Sequence, residues 1–183
     1  LSPGGTSNTT GEFTGLSAAT YTVEITDENT CSYTTGDLVV DEPTALTISN
    51  VSSTDITCNG GGDGSINVDA SGGTGTLTYT LSPGGRTNNS GEFYGLTEDT
   101  YTVEVTDENG CSTTTGDIVI SEPPALNITG TSSSDVSCNG GSDGTINVSA
   151  DGGTGTLTYT LSPGGTSNTT GEFTGLDAGT FAL

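Results

Sequence analysis

Four cysteines and 23 carboxylates carry the reactive chemistry of this 183-residue chain, which has no histidine, no lysine and one basic side chain, Arg86. Without His or Lys the usual general bases near neutral pH are missing, and neither a Ser-His-Asp nor a Cys-His arrangement can be assembled. Paired carboxylates can in principle cleave glycosides. Here the acidic residues recur on turns at a fixed interval, which reads as a solvated surface, so no enzymatic activity is expected.

The thiols point elsewhere. Cys31 and Cys111 lie 80 residues apart, and so do Cys58 and Cys138. Regular cysteines in a small, Gly-rich, acidic chain suit an oxidising, extracellular setting in which disulfides persist. Zinc is disfavoured by the missing His and the absence of a close CxxC pair. Three pairings fit the spacing. Cys58 with Cys111, 53 residues apart, would staple one unit, although the first turn and the last hairpin of a sandwich lie at opposite ends. Cys31 with Cys58, and Cys111 with Cys138, both 27 apart, would clamp a join between units. In the third pairing Cys58 bonds the next repeat's equivalent of Cys111. All three stay open on sequence alone.

Among the carboxylates, Asp41, Glu42, Asp107, Glu108 and Asn109 form a candidate calcium set: hard oxygen ligands on a proline-marked linker and a hairpin that could meet at one end of a unit. Calcium there would stiffen the join. Six Asn-x-Ser/Thr sequons, at Asn8, Asn50, Asn88, Asn127, Asn147 and Asn168, are candidate glycosylation sites, beside the many Ser and Thr open to O-glycosylation. The formal charge of −22 excludes nucleic acid, whose binding rests on phosphate neutralisation by Lys and Arg. It equally argues against an anionic membrane surface. No apolar run approaches the roughly 20 residues that span a bilayer, and Leu1 begins no recognisable secretory signal. The acidic coat suits a halophilic source as well as a surface protein.

What must position these groups is a repeat. Residues 81–160 align with residues 1–80 without a gap, and 54 of the 80 positions are identical. A third copy begins at Leu161, and residues 161–176 match residues 1–16 letter for letter while 81–96 differ, as if two unit types alternated. Both ends of the chain fall inside a repeat, so it reads as a window on a longer array. Hydrophobic residues make up only 28%, a level that suits disorder, but strict apolar alternation between Gly-rich turns argues for folded strands.

In the phase of residues 45–124, a first strand begins over Ala45–Val51 and reaches Cys58. A second carries Ile66, Val68 and Ala70 on one face, and a third Leu77, Tyr79 and Leu81. Arg86 to Leu96 reads as two short strands with Phe93 and Leu96 inward. The clearest strand alternates Tyr101, Val103 and Val105 with Thr102, Glu104 and Thr106, and ends on the tight-hairpin signal Asn109-Gly110. The last, Cys111 to Ser121, buries Ile118 and Ile120. Seven short strands in about 80 residues predict an all-β chain of tandem immunoglobulin-like β-sandwich repeats. A β-solenoid needs a far shorter period. The expected division is residues 1–44, the C-terminal part of one repeat; 45–124, a complete repeat; and 125–183, the N-terminal part of a third.

The run from Cys58 to Ile66, the Gly72-Gly73-Thr74-Gly75 turn followed by Tyr79, and the segment Thr100 to Cys111 together resemble SprB-type repeats, and the signature recurs at Cys138–Ile146 and Thr20–Cys31. Such repeats occur in large surface adhesins of gliding Bacteroidota. The resemblance implies an extracellular, cell-surface array of immunoglobulin-like or PKD-like modules, exported by type IX secretion and used in adhesion or motility. It brings no catalytic residues. Two positions depart from the pattern: Leu81 stands where an aromatic is common, and the third copy reads Thr180-Phe181-Ala182-Leu183 where its siblings read Thr-Tyr-Thr-Val. The expected role is a structural stalk, fibre or filament whose partners are neighbouring repeats or copies of itself. The alternative is a module binding glycans or a surface through its Gly-rich turns. For that role Tyr94 is the one spare aromatic, and its counterparts Thr14 and Thr174 lack the ring.

Overall fold

A computed structural model describes residues 1–182, and every regular element in it is a β-strand. Four short strands come first: β1 (Ala19–Tyr21), β2 (Glu24–Thr26), β3 (Ser32–Thr34) and β4 (Leu38–Val40). The middle stretch holds β5 (Thr47–Thr54), β6 (Gly64–Ser71), β7 (Thr78–Ser82), β8 (Arg86–Asn88), β9 (Glu92–Leu96), β10 (Asp99–Thr106), β11 (Ser112–Thr114) and β12 (Ile118–Ile120). The last described strands are β13 (Asn127–Ser134), β14 (Gly144–Asp151), β15 (Tyr159–Leu161), β16 (Thr166–Asn168) and β17 (Glu172–Leu176).

The alternation seen in the sequence sets which face of each strand goes inward. Ile66 and Val68 on β6 are buried while Asp69 is exposed, and Tyr101, Val103 and Val105 on β10 are buried while Glu104 is exposed. Two antiparallel sheets result, one ordered β5-β6-β9 and the other β8-β7-β10-β11, with β12 also on β10. Ile66, Val68, Phe93 and Leu96 from the first sheet meet Tyr79, Leu81, Val103, Val105, Ile118 and Ile120 from the second. This is an immunoglobulin-like sandwich in strand order. Burying each of these aliphatic side chains contributes roughly 1.5–3 kcal/mol.

The same ladders recur 80 residues away on both sides. Ile48 pairs with Ala70 and Ile128 with Ala150, each followed by a bulge. Ile66 pairs with Phe93 and Ile146 with Phe173. Ala19 pairs with Val40 as Asp99 does with Ile120.

Three details depart from the sequence reading, each for a local hydrogen-bonding reason. The first strand stops at Thr54 instead of running to Cys58, because Ile56 N donates to the Ser121 carbonyl at 2.9 Å and the Asp55 carboxylate accepts from Ser121 N, turning the chain across the end of the sandwich. The last strand is broken in two. Thr115 bulges out between β11 and β12, its amide donating to the Val103 carbonyl and its hydroxyl accepting from Val103 N, both at 2.9 Å. The hairpin after β10 is not a two-residue Asn-Gly turn. It is a wider loop in which Gly110 N donates to the Asp107 carbonyl at 3.0 Å, Gly110 has φ +81°, and Asp107 N donates to the Cys111 carbonyl.

Some glycines are required by their neighbours. Gly91 has φ +76°, its carbonyl accepts from Val68 N at 3.0 Å, and a side chain there would run into the Val68 carbonyl. Gly171 stands in the same way over Val148.

Candidate functional site

The two ends of the sandwich hold the polar groups that the sequence singled out. At the first end, the loop after β5 meets the segment after β12. Asn59 Nδ2 donates to Glu122 Oε1 at 2.8 Å and to the Pro123 carbonyl at 3.0 Å, and Gly60 N donates to Glu122 Oε2 at 2.7 Å. A single carboxylate thereby ties the Cys58-Asn59-Gly60 loop to the linker that leaves the sandwich. Within this loop Asp63 accepts from the Thr57 hydroxyl at 2.6 Å and from Thr57 N at 3.1 Å. These bonds, the hydroxyl first, hold its carboxyl below the ordinary aspartate value. Asp143 is lowered in the same way by the hydroxyl and amide of Ser137.

Asp107 organises the opposite end. It is 6% exposed, and its carboxylate accepts from Thr74 N at 2.9 Å, Asn109 N at 3.0 Å and Cys111 N at 2.8 Å. The amide of Thr74 contributes most to a lowered pKa, which prevails over the opposing effect of burial. Glu108 adds to the link: its amide donates to the Thr74 carbonyl at 3.0 Å, and its carboxylate accepts from Thr76 N at 3.0 Å. The hairpin after β10 is thus sewn to the Gly72–Gly75 turn by one buried and one exposed carboxylate.

This arrangement places each expected site residue. Of the calcium set, Asp107 and Glu108 direct their oxygens at backbone amides, and Asn109 is part of the turn that Asp107 closes. Asp41 and Glu42 are exposed on the linker, and among the described residues no three His, Cys, Asp or Glu side chains converge as a metal cluster. Cys31, Cys58, Cys111 and Cys138 are free, exposed thiols. Cys58 belongs to the Glu122 end and Cys111 to the Asp107 end. β6, eight residues long, separates the two ends by about 23 Å of strand rise, whereas a disulfide needs Cα atoms within about 7 Å.

Three of the six sequons, Asn8, Asn88 and Asn168, close turns of the fold. Asn88 Nδ2 donates to the Glu92 carbonyl at 2.8 Å while its Oδ1 accepts from Ser90 N at 2.9 Å and Gly91 N at 2.7 Å; Asn8 and Asn168 repeat the pattern. Asn50 Nδ2 donates to Asp69 and Asn127 Nδ2 to the Ala125 carbonyl, and Asn147 is exposed on β14. Arg86 spends its charge on the Tyr94 carbonyl at 2.9 Å, and Tyr94 itself is 61% exposed.

One functional feature escaped the sequence reading. The alternation marks Tyr101 only as a buried residue, but its hydroxyl donates to the Thr97 carbonyl at 3.2 Å across the entry to β10. Tyr21 does the same to Ser17 at 2.9 Å. This is the tyrosine corner of immunoglobulin-like sandwiches. The available signal was a tyrosine four residues past a turn in both copies, and Phe181, its counterpart in the third, has no hydroxyl to offer.

Between units, the Thr154 hydroxyl reaches the Thr57 carbonyl at 3.5 Å. Thr154 lies 80 residues after Thr74 and holds the same place in its turn, so the turn before β15 touches the chain just ahead of Cys58. Among the described residues no helix is long and apolar enough to cross a membrane.

Compared with known proteins, residues 50–86 and 130–166 each match the family model of the SprB repeat. No curated protein and no solved structure matches the chain.

Proposed function

We propose, from the premise that this chain carries two SprB repeats, that it is a load-bearing stretch of a cell-surface adhesin: an extracellular stalk of sandwich units, divided at 1–44, 45–124 and 125–183. The observation that carries the reading is the recurrence of one set of ladders, bulges included, at a constant interval on both sides of the middle sandwich. An array whose units meet end to end keeps its geometry only if unit length and joint are kept.

The chemistry of the two ends fits a mechanical role. Glu122 holds the outgoing linker against the loop beside Cys58, so tension on the linker is passed to β5 and β6 and does not peel β12 alone. Asp107 and Glu108 anchor the hairpin that would face the preceding unit. In this frame the 53-residue and 27-residue cysteine pairings each join groups a sandwich length or more apart. The pairing that fits is the one crossing a joint, Cys58 to the following unit's hairpin cysteine, because Thr57 touches the turn that such a hairpin flanks. An acidic coat of charge −22 keeps neighbouring stalks apart and soluble.

Single-molecule pulling on the 183-residue chain tests this. The middle sandwich, Thr47 to Ile120, should resist and then release in one step of roughly 20–25 nm, set by the extended length of its residues. Smooth extension without a discrete step would refute a load-bearing role.

A further inference from the structure

An asparagine followed by glycine can react with its own backbone. At Asn59-Gly60 the Gly60 nitrogen attacks the carboxamide: a bond forms between Gly60 N and Asn59 Cγ, and the Cγ–Nδ2 bond breaks. The Gly60 N–H proton leaves with Nδ2 as ammonia, and water then opens the five-membered imide to aspartate or isoaspartate. The middle unit holds two such pairs, Asn59-Gly60 and Asn109-Gly110. Asn59 and Gly60 are exposed at the centre of a turn in which Gly61 N donates to the Cys58 carbonyl at 2.9 Å and Gly60 has φ +73°. Nothing crowds Gly60: a side chain there would meet no atom within 4 Å.

The Glu122 carboxylate bonds both of the nitrogens that this reaction must change. Asn59 Nδ2 donates to Oε1 at 2.8 Å and Gly60 N to Oε2 at 2.7 Å, while the Pro123 carbonyl accepts from Nδ2 at 3.0 Å. Ring closure breaks all three bonds, since Nδ2 departs and Gly60 N gives up its proton. Asn109-Gly110 has no such clamp. Gly110 N donates to the uncharged Asp107 carbonyl at 3.0 Å, and among the described residues the Asn109 side chain has no hydrogen-bond partner, its backbone N–H alone reaching Asp107.

We propose that Asn59-Gly60 is a self-modification site, shielded while Glu122 holds the outgoing linker and converted to aspartate or isoaspartate once the linker lets go. A hydrogen bond to a charged group stabilises the unreacted state. Losing it speeds ring closure about tenfold, the rate equivalent of about 1.4 kcal/mol of barrier. The conversion is one-way. A second carboxylate then stands where the Nδ2 donor faced Glu122, and like charges this close repel, so the clamp does not re-form. A released linker is thereby recorded as a permanent chemical change. This goes beyond the stalk reading and stands on the turn and its clamp alone, whatever load the array carries.

Peptide mass spectrometry of the 183-residue chain aged in mildly alkaline buffer, with aspartate and isoaspartate forms separated, decides it. Glu122→Ala should speed conversion of Asn59 about tenfold relative to Asn109, which reports on any general loosening of the fold. Glu122→Gln keeps one acceptor oxygen and should fall between the parent and Glu122→Ala. Asn59→Asp makes the modified state directly, and at neutral pH it should lower the melting of the middle sandwich by about 4 °C or more. Equal Asn59 rates in the parent and Glu122→Ala would overturn the shield. So would a slower rate in the variant, the sign of Glu122 acting as a base in ring closure. An Asn59→Asp chain that melts with the parent would overturn the loss of the clamp.

Discussion

Replacing Tyr101 by Phe removes one oxygen and nothing else, which makes it a direct test of how the crossover into β10 is held. The ring is 6% exposed and stays in place, so no cavity is created. What is lost is the hydroxyl's donation to the Thr97 carbonyl at 3.2 Å and its contact with the Thr97 hydroxyl at 3.5 Å. A neutral hydrogen bond of this kind contributes about 1 kcal/mol. Because Thr97 is exposed and water can partly replace the donor, the expected loss is about 0.5–1 kcal/mol, or a fall of roughly 3–6 °C in Tm for a unit of this size. Differential scanning calorimetry of the chain would read it on the middle transition. Phe181→Tyr is the reciprocal change, and it should stabilise the third stretch by supplying the missing donor. A Tyr101→Phe variant that melts within about 1 °C of the parent would refute the reasoning, leaving ring burial alone to fix the crossover.

Other perturbations follow from the same contacts. Asp107, Asp63 and Asp143 all have carboxyls lowered from the ordinary value by hydrogen bonds present in the folded state. Their stabilisation is therefore complete above the unfolded value and lost as pH falls through the folded one. Tm should decline on acidification below about pH 4, and Asp107→Asn should flatten that decline; a Tm that only rises, as relief of charge repulsion alone would give, contradicts it. Gly91→Ala places a side chain at φ +76° against the Val68 carbonyl and should cost more than about 1 kcal/mol by denaturant titration. All four cysteines are exposed, so an aromatic disulfide reagent should titrate four thiols in the folded chain without denaturant. Fewer would indicate that a pair has closed.

Much of the fold was legible because one kind of signal dominates it. Ile66-x-Val68 and Tyr101-x-Val103-x-Val105 alternate with polar residues, and only an extended strand puts every second residue on one buried face. The two short strands in Arg86–Leu96 and the inward Phe93 and Leu96 followed from the same period. The strand ends did not. Asp55, Thr115 and Asp107 each replace a ladder bond or close a loop with a side-chain oxygen, and such a bond depends on which backbone amide a distant strand brings within reach. Asp107 and Glu108 read as candidate calcium ligands in the sequence, and only the fold reveals that their oxygens also accept the backbone amides that anchor the hairpin. Tyr101 was legible as core but not as a corner, since its partner carbonyl is identified only by the path of the crossover.

By itself the sequence determined the class of this protein: an acidic, all-β repeat without histidine or lysine, its period written in identical letters and its repeat signature in short contiguous runs. Those properties are local or compositional, and they survive in the unfolded chain. The tertiary structure alone decided which groups share an end of the sandwich. It set Cys58 and Cys111 apart, joined Glu122 to Asn59, and sewed Asp107 to Thr74. Each of these is a meeting of residues far apart in sequence, fixed by the order in which strands pair across two sheets.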